Sequence, residues 1–353
     1  MTTPLGEILC RRIAQTGPMT IAEFMTECLL HPEHGYYTTR DPFGQGGDFT
    51  TAPEISQMFG ELIGLALAQA WLDQGKPKQF VLAELGPGRG TLMADLLRAS
   101  SRVPGLVEAA QVVLVEASPT LRARQRQVLP NGVAWVDRVE DLPDLPVFLV
   151  ANEFFDALPI RQFVREGHGW RERVVTVVDG ELQIALAQPA PMAALEHRLA
   201  DTRSGDLIEQ CAIGQAIIAE LSLRLQAKGG CVLIIDYGDV RSLGDTLQAV
   251  RHHSPAPVLQ DPGQADLTAH VDFEALAAVA QGAAHGPVPQ GVWLERLGIT
   301  ERARALARRL SGDALESHIA AHRRLTHPEE MGTLFKALAV VPLGVLPPPG
   351  FEP

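Results

Sequence analysis

Between residues 20 and 70 the apolar positions recur at helical spacing. Ile21, Phe24, Met25, Cys28 and Leu29 share one face, and Thr20-Ile21-Ala22-Glu23 ahead of them fits a capping box, which predicts a helix starting here and ending near His31-Pro32. A second helix is predicted from about Pro53-Glu54, with Ile55, Met58, Phe59, Leu62, Ile63 and Ala66 on its buried face and proline in the first turn, where its missing donor is harmless. Glycines, turn formers and aromatics from His34 to Phe49 read as a structured loop between them.

From Gln79 the period changes. Short apolar runs at 80–85, 112–116, 133–136, 147–151 and 231–236 alternate with helix-length segments, the pattern of a parallel sheet covered on both faces. The expected fold is therefore α/β and Rossmann-like. One interruption, 159–191, alternates apolar and polar residues at 174–178 and 182–186 around Asp179-Gly180, which predicts a β-hairpin inserted into the sheet domain. Residues 1–78 then form an N-terminal helical or lid segment and 79–353 the main domain, with the insertion at about 159–228. Further helices are expected at 273–284 and 301–310. The longest apolar stretch, 334–346, contains Lys336 and Pro342 and is too short to span a bilayer. The prolines at 347–349 suggest a frayed tail, and no internal repeat is visible.

A chain of 353 residues, 46% hydrophobic and 20% charged, can bury a large core. With 42 acidic against 30 basic residues its net charge of -12 would repel a phosphate backbone, and the densest basic run, Arg302, Arg304, Arg308 and Arg309, reads as a solvated helix face, so no nucleic-acid partner is expected. The four cysteines stand far apart with no Cys-x-x-Cys pair, which argues against a zinc site or a disulfide framework. His31, His34, His318, His322 and His327 have spacings that could ligate a metal but lack an accompanying acidic pattern; no metal is expected. Without an apolar run before Arg11-Arg12 there is no signal segment, and a cytoplasmic protein without membrane insertion is the expectation.

Candidate chemistry begins at Glu84-Leu85-Gly86-Pro87-Gly88-Arg89-Gly90-Thr91, which follows the first strand and precedes an apolar-periodic segment. Glycines there allow a tight turn and a close ligand approach at a helix N-terminus. A dinucleotide fingerprint would place glycine at position 91, which is threonine, so the Glu-x-Gly-x-Gly-x-Gly spacing favours a nucleoside carrying an amino acid: S-adenosylmethionine. Glu84 would hold the methionine ammonium, Glu116 at the second strand tip the ribose hydroxyls, and Asp137 after the third strand the adenine amino group. An ordinary strand-loop-helix turn with surface carboxylates is the plainer alternative, but the ordered set on successive strand tips weighs against it.

The fourth strand runs into Asn152-Glu153-Phe154-Phe155-Asp156, at the reactive end of the crevice. Two carboxylates there suit a guanidinium acceptor, whose planar fork they can hold. Glu153 is the first candidate and Asp156 the second, although Asn152 and Asp156 could simply cap the turn. Asp48, in Gly-Gly-Asp-Phe-Thr-Thr, would close over cofactor or acceptor, or serve only its turn. Asp236-Tyr237-Gly238 could line the acceptor site or merely end its strand.

These residues, with 18–37, 47–56, 115–119, 235–238, 263–273 and 331–336, resemble a family of bacterial and mitochondrial class I methyltransferases that includes the mitochondrial complex I assembly factor, a protein-arginine methyltransferase. The resemblance spans nearly the whole chain. It implies a seven-stranded methyltransferase sheet, and for the mitochondrial relative symmetric dimethylation of an arginine in a complex I core subunit. Starting almost at the family's first shared helix, the chain looks like a bacterial member. A small-molecule methyltransferase and a complex I assembly chaperone that binds the cofactor only for structure are the competing readings. A homodimer is compatible with either.

Overall fold

The computed structural model describes residues 3–39 and 50–351. Its central sheet has seven strands: β1 (Phe80–Leu85), β2 (Ala110–Val115), β3 (Ala134–Val136), β4 (Val147–Asn152), β5 (Gly230–Asp239), β6 (Ala283–Pro289) and β7 (Phe335–Val341). Across the sheet they run β6-β7-β5-β4-β1-β2-β3, with a two-residue strand at Val271–Asp272 paired to the end of β5. The five strands from β5 to β3 are parallel, while β7 is antiparallel to both its neighbours.

Two-sided burial explains why these strands are apolar without a break. Leu82, Leu114, Phe148, Val150 and Leu233 point to one face, under the helices α4 (Gln57–Asp73) and α5 (Thr91–Ser100). Ala83, Val113, Leu149, Val232 and Ile234 point to the other, against α7 (Ala212–Lys228). Each such fully buried Val, Leu or Phe contributes roughly 1.5–3 kcal/mol. A charge at fully buried Leu149 would therefore break the layer.

The N-terminal helices bury a different surface. In α1 (Pro4–Thr16) and α2 (Ile21–Leu30), Leu5, Leu9, Phe24 and Met25 pack with Val175 and Leu267 of the inserted elements. The capping box at Thr20 and Glu23 is formed. The inserted hairpin pairs Gly169–Val178 with Glu181–Leu186 through Asp179-Gly180, both at positive φ, as a two-residue hairpin turn requires. Thus residues before 78 divide between two clusters, α1 and α2 on the insertion and α4 on the sheet.

Several expectations need correction. The helix α1, opened by Thr3 and Pro4, precedes what the periodicity marked as the first element. The helix expected from Pro53 is a short turn, α3 (Ala52–Ile55), then α4, broken where Ser56 is extended and its hydroxyl accepts from Met58. The helix expected over 273–284 stops at Val279, and 283–289 become β6, because pairing with β7 satisfies their backbone at the sheet edge. The apolar stretch at 334–346 holds β7, buried between β5 and β6. Asp48 lies outside the described residues.

Candidate functional site

Chain order reverses between β1 and β4: β1 leads to β2 on one side, β4 to β5 on the other. In doubly wound sheets this switch point opens the ligand crevice beyond the strand tips. The candidate site lies there, an open cleft of about 380 Å³ lined among others by Thr51, Glu54, Glu84, Gly88, Asn152 and Glu153.

At the tip of β1 the chain turns through Gly86, Gly88 and Gly90, all at positive φ. Gly86 must be glycine for a second reason: a Cβ there would lie 2.7 Å from Cδ2 of Phe154. Gly86 N donates to Val115 O at 3.1 Å and Gly90 N to Pro87 O at 2.7 Å, closing the loop. α5 then starts at Thr91 with no side-chain cap, leaving first-turn N–H groups for a ligand, while Thr91 Oγ1 donates to Glu54 Oε1 at 2.5 Å. Glu84 is 3% exposed and its Oε2 has no partner. Burial pushes its carboxyl up to about 8; the Met93 N–H opposes that and the Glu116 charge adds to it.

One strand over, Glu116 Oε1 accepts from Ser118 N at 2.8 Å and Oε2 from Gln125 Nε2 at 3.2 Å. Burial raises its pKa against those donors. Gln125, fully buried on α6 (Pro119–Val128), also donates to Gly88 O at 2.7 Å and accepts from Trp135 Nε1 at 2.7 Å. It ties the glycine loop to the tips of β2 and β3, a role that no motif announced. Asp137 is the outermost candidate, largely exposed and paired with Arg122 at 2.6 Å; the same guanidinium holds the carbonyls of Glu116 and Val136.

The β4 tip forms the opposite wall. Glu153 has φ of 50° and its Oε1 accepts from Ala52 N at 2.9 Å and from Asn152 Nδ2 at 3.1 Å. Burial, with the repulsion of Asp156, pushes its carboxyl up to about 7. Asp156 lies just behind, 6% exposed; burial raises it to about 6 although the Tyr237 hydroxyl favours its ionised form. Oδ1 of Asp156 and Oδ1 of Asn152 are buried without partners. Asp236, fully buried at the end of β5, accepts at Oδ2 from the N–H groups of Phe154, Phe155 and Asp156. Burial and the neighbouring Asp156 and Glu153 push its pKa well up.

The structure therefore brings Glu84, Gly86, Pro87, Gly88, Thr91, Asn152 and Glu153 to one cleft. Gly90 starts α5 beside it, Asp156 stands behind the wall, and Glu116 and Asp137 follow along the β2 and β3 tips. A larger crevice of about 680 Å³, between the insertion and the segment after Ala269, includes none of these residues. Among the described residues no cluster of His, Cys, Asp and Glu could hold a metal ion, and no helix is long and apolar enough to cross a membrane.

The model of a family described as "Putative S-adenosyl-L-methionine-dependent methyltransferase" matches residues 62–289 of the chain. The chain belongs to that family. It is similar to curated proteins named "Protein arginine methyltransferase NDUFAF7, mitochondrial", 38% identical over 96% of this chain and 84% of the relative in Bos taurus, and 36% identical over 96% and 84% in Homo sapiens. A crystal structure of a Burkholderia thailandensis protein bound to S-adenosyl-homocysteine is 28% identical, with a TM-score of 0.81 over 99% of this chain and 92% of that one. The methyltransferase is S-adenosylmethionine-dependent, and the residues fit that cofactor: an unpartnered buried carboxylate oxygen at Glu84 for its ammonium, a loop turned through three glycines at positive φ, and a second carboxylate at Glu116. One expectation is overturned by these relatives. A cytoplasmic protein was expected, whereas the curated relatives are mitochondrial proteins.

Proposed function

We propose that the methyltransferase is a protein-arginine N-methyltransferase. The supporting observation is Glu153 at the β4 tip, across the cleft from the glycine loop, with Asp156 behind it and unpartnered oxygens on Asn152 and Asp156. A guanidinium presents donors in a planar fork, the complement of such a wall. The relatives' name, protein arginine methyltransferase, points the same way. The cofactor, on Glu84, Gly86, Pro87, Gly88, Gly90, Thr91, Glu116 and Asp137, supplies an electrophilic methyl group when bound. Glu153 would face the acceptor with Asp156 behind it, and Glu153 would take the proton that the nitrogen sheds as the new N–C bond forms and the methyl group's bond to the cofactor sulfur breaks. A carboxyl raised to about 7 is matched to that transfer near neutral pH.

In this reading residues 79–353, with the insertion at about 159–228, carry catalysis, and residues 1–78 form the segment through which a protein substrate docks. On this reading the acceptor is an arginine in a core subunit of respiratory complex I and the product is symmetric dimethylarginine. The test incubates the purified protein and methyl-labelled cofactor with a lysate from cells lacking it. One labelled protein band that hydrolyses to dimethylarginine is expected. Label confined to small molecules would favour a small-molecule methyltransferase instead, and cofactor binding without label an assembly chaperone.

A further inference from the structure

We propose that Asp236 is the positioning residue of the acceptor wall: its buried carboxylate gathers the N–H groups of three successive residues and so fixes the turn that aims Glu153. This rests on the reading of Glu153 given above. Asp236 Oδ2 accepts from Phe154 N at 3.1 Å, Phe155 N at 2.9 Å and Asp156 N at 3.3 Å, and Oδ1 accepts from Tyr237 N at 3.0 Å. No backbone carbonyl accepts from residues 154–156, which belong to neither helix nor strand. Glu153 itself is anchored by its N–H to Ile235 O at 2.9 Å, one residue before Asp236. The left-handed conformation of Glu153 is one that a glutamate avoids unless its surroundings impose it. Those surroundings are β5 and its terminal carboxylate.

Only a carboxylate satisfies all four donors. Asparagine offers one oxygen and one NH₂, so either the three-residue turn or Tyr237 N would face a donor. Four N–H donors and, among the described residues, no acceptor face the Asp236 carboxyl, so the geometry holds its ionised form against the burial and like charges that raise its pKa, and puts a negative charge beside the groups that would work on the acceptor. Glu153 faces Asp156, Asp236 and Asn152, the Ala52 N–H from α3, and Arg324 from the helix Gly312–Thr326. Asp156 faces Asp236, the Tyr237 hydroxyl and Tyr37. Removing one of three like charges favours ionisation of the other two.

Two measurements decide the matter. In the wild-type protein the amides of 154–156 are expected to exchange with solvent at least about 100-fold more slowly than an open loop would; unprotected amides there would overturn the proposal whether or not any variant folds. In Asp236→Asn, S-adenosyl-homocysteine should bind as in wild type, labelling of the lysate band should fall on the order of 100-fold, and the acid limb of the pH–rate profile should move to lower pH. A merely structural role would lower the rate without moving that limb, and an unmoved limb overturns the proposal, as does wild-type labelling. If wild type itself yields no dimethylarginine, the arginine reading fails, and the amide measurement still decides whether Asp236 holds the turn.

Discussion

At the cofactor wall a single stretch of chain, Glu84 to Thr91, supplies the carboxylate, the turn and the helix N-terminus. At the acceptor wall the Glu153 carboxylate accepts from the N–H of Ala52, 101 residues away, and the turn after it is held by Asp236, 80 to 82 residues away. The cofactor wall's loop is built from local geometry, and its buried carboxylate Glu84 feels the charge of Glu116 rather than those of the acceptor wall. The acceptor wall crowds Glu153, Asp156 and Asp236 together, and all three are pushed up by burial, with the charge of Asp156 adding to Glu153 and those of Asp156 and Glu153 adding to Asp236. Binding and chemistry should therefore be separable by mutation, with Phe154, whose ring lies against Gly86, as the contact joining them.

The largest separation is expected from Glu153→Gln. Transfer to protein should fall by about 10³-fold or more, a loss of on the order of 4 kcal/mol in transition-state stabilisation, in a single-turnover assay. Gly86→Ala acts on the other wall. Positive φ and the clash with Phe154 should weaken cofactor binding by roughly 100-fold, about 3 kcal/mol, by calorimetry. Glu84 gives a pH signature. Its carboxyl is neutral below about 8 in the free protein, and an ammonium requires it ionised, so binding releases a proton. Affinity should then weaken by up to about tenfold per unit as pH falls below that value, and Glu84→Gln should flatten the dependence. Smallest is the coupling between walls. Adding Phe154→Ala to Gly86→Ala removes the ring that the new methyl strikes, and the double-mutant cycle should return about 1 kcal/mol; additive effects would show that the walls do not touch.

The same contrast explains what the sequence made legible. β1 through β5 could be read because strands buried on both faces carry runs of consecutive apolar residues, and the glycine loop because its residues are consecutive. Thr20 and Glu23 announced their cap for the same local reason. The first two residues of β6 were read as the end of a helix because alanines between 275 and 284 fit either period, and only pairing with β7 decides. β7 itself passed as an unassigned apolar stretch, since its antiparallel place between β5 and β6 is a tertiary fact. Gln125 carried no signal, and Asp236 was marked only as a residue that could line the acceptor site or end its strand. A buried glutamine on a polar helix and an aspartate ending a strand look ordinary until the distant groups that they join are in place.

The most direct test of the two-wall account titrates S-adenosyl-homocysteine calorimetrically into Glu153→Gln and Glu84→Gln side by side at pH above 8. The account predicts that Glu153→Gln binds within about twofold of wild type while Glu84→Gln loses about tenfold or more, an ionised partner for the ammonium having been removed. Equal losses in the two variants would contradict it, because Glu153 would then belong to the cofactor wall.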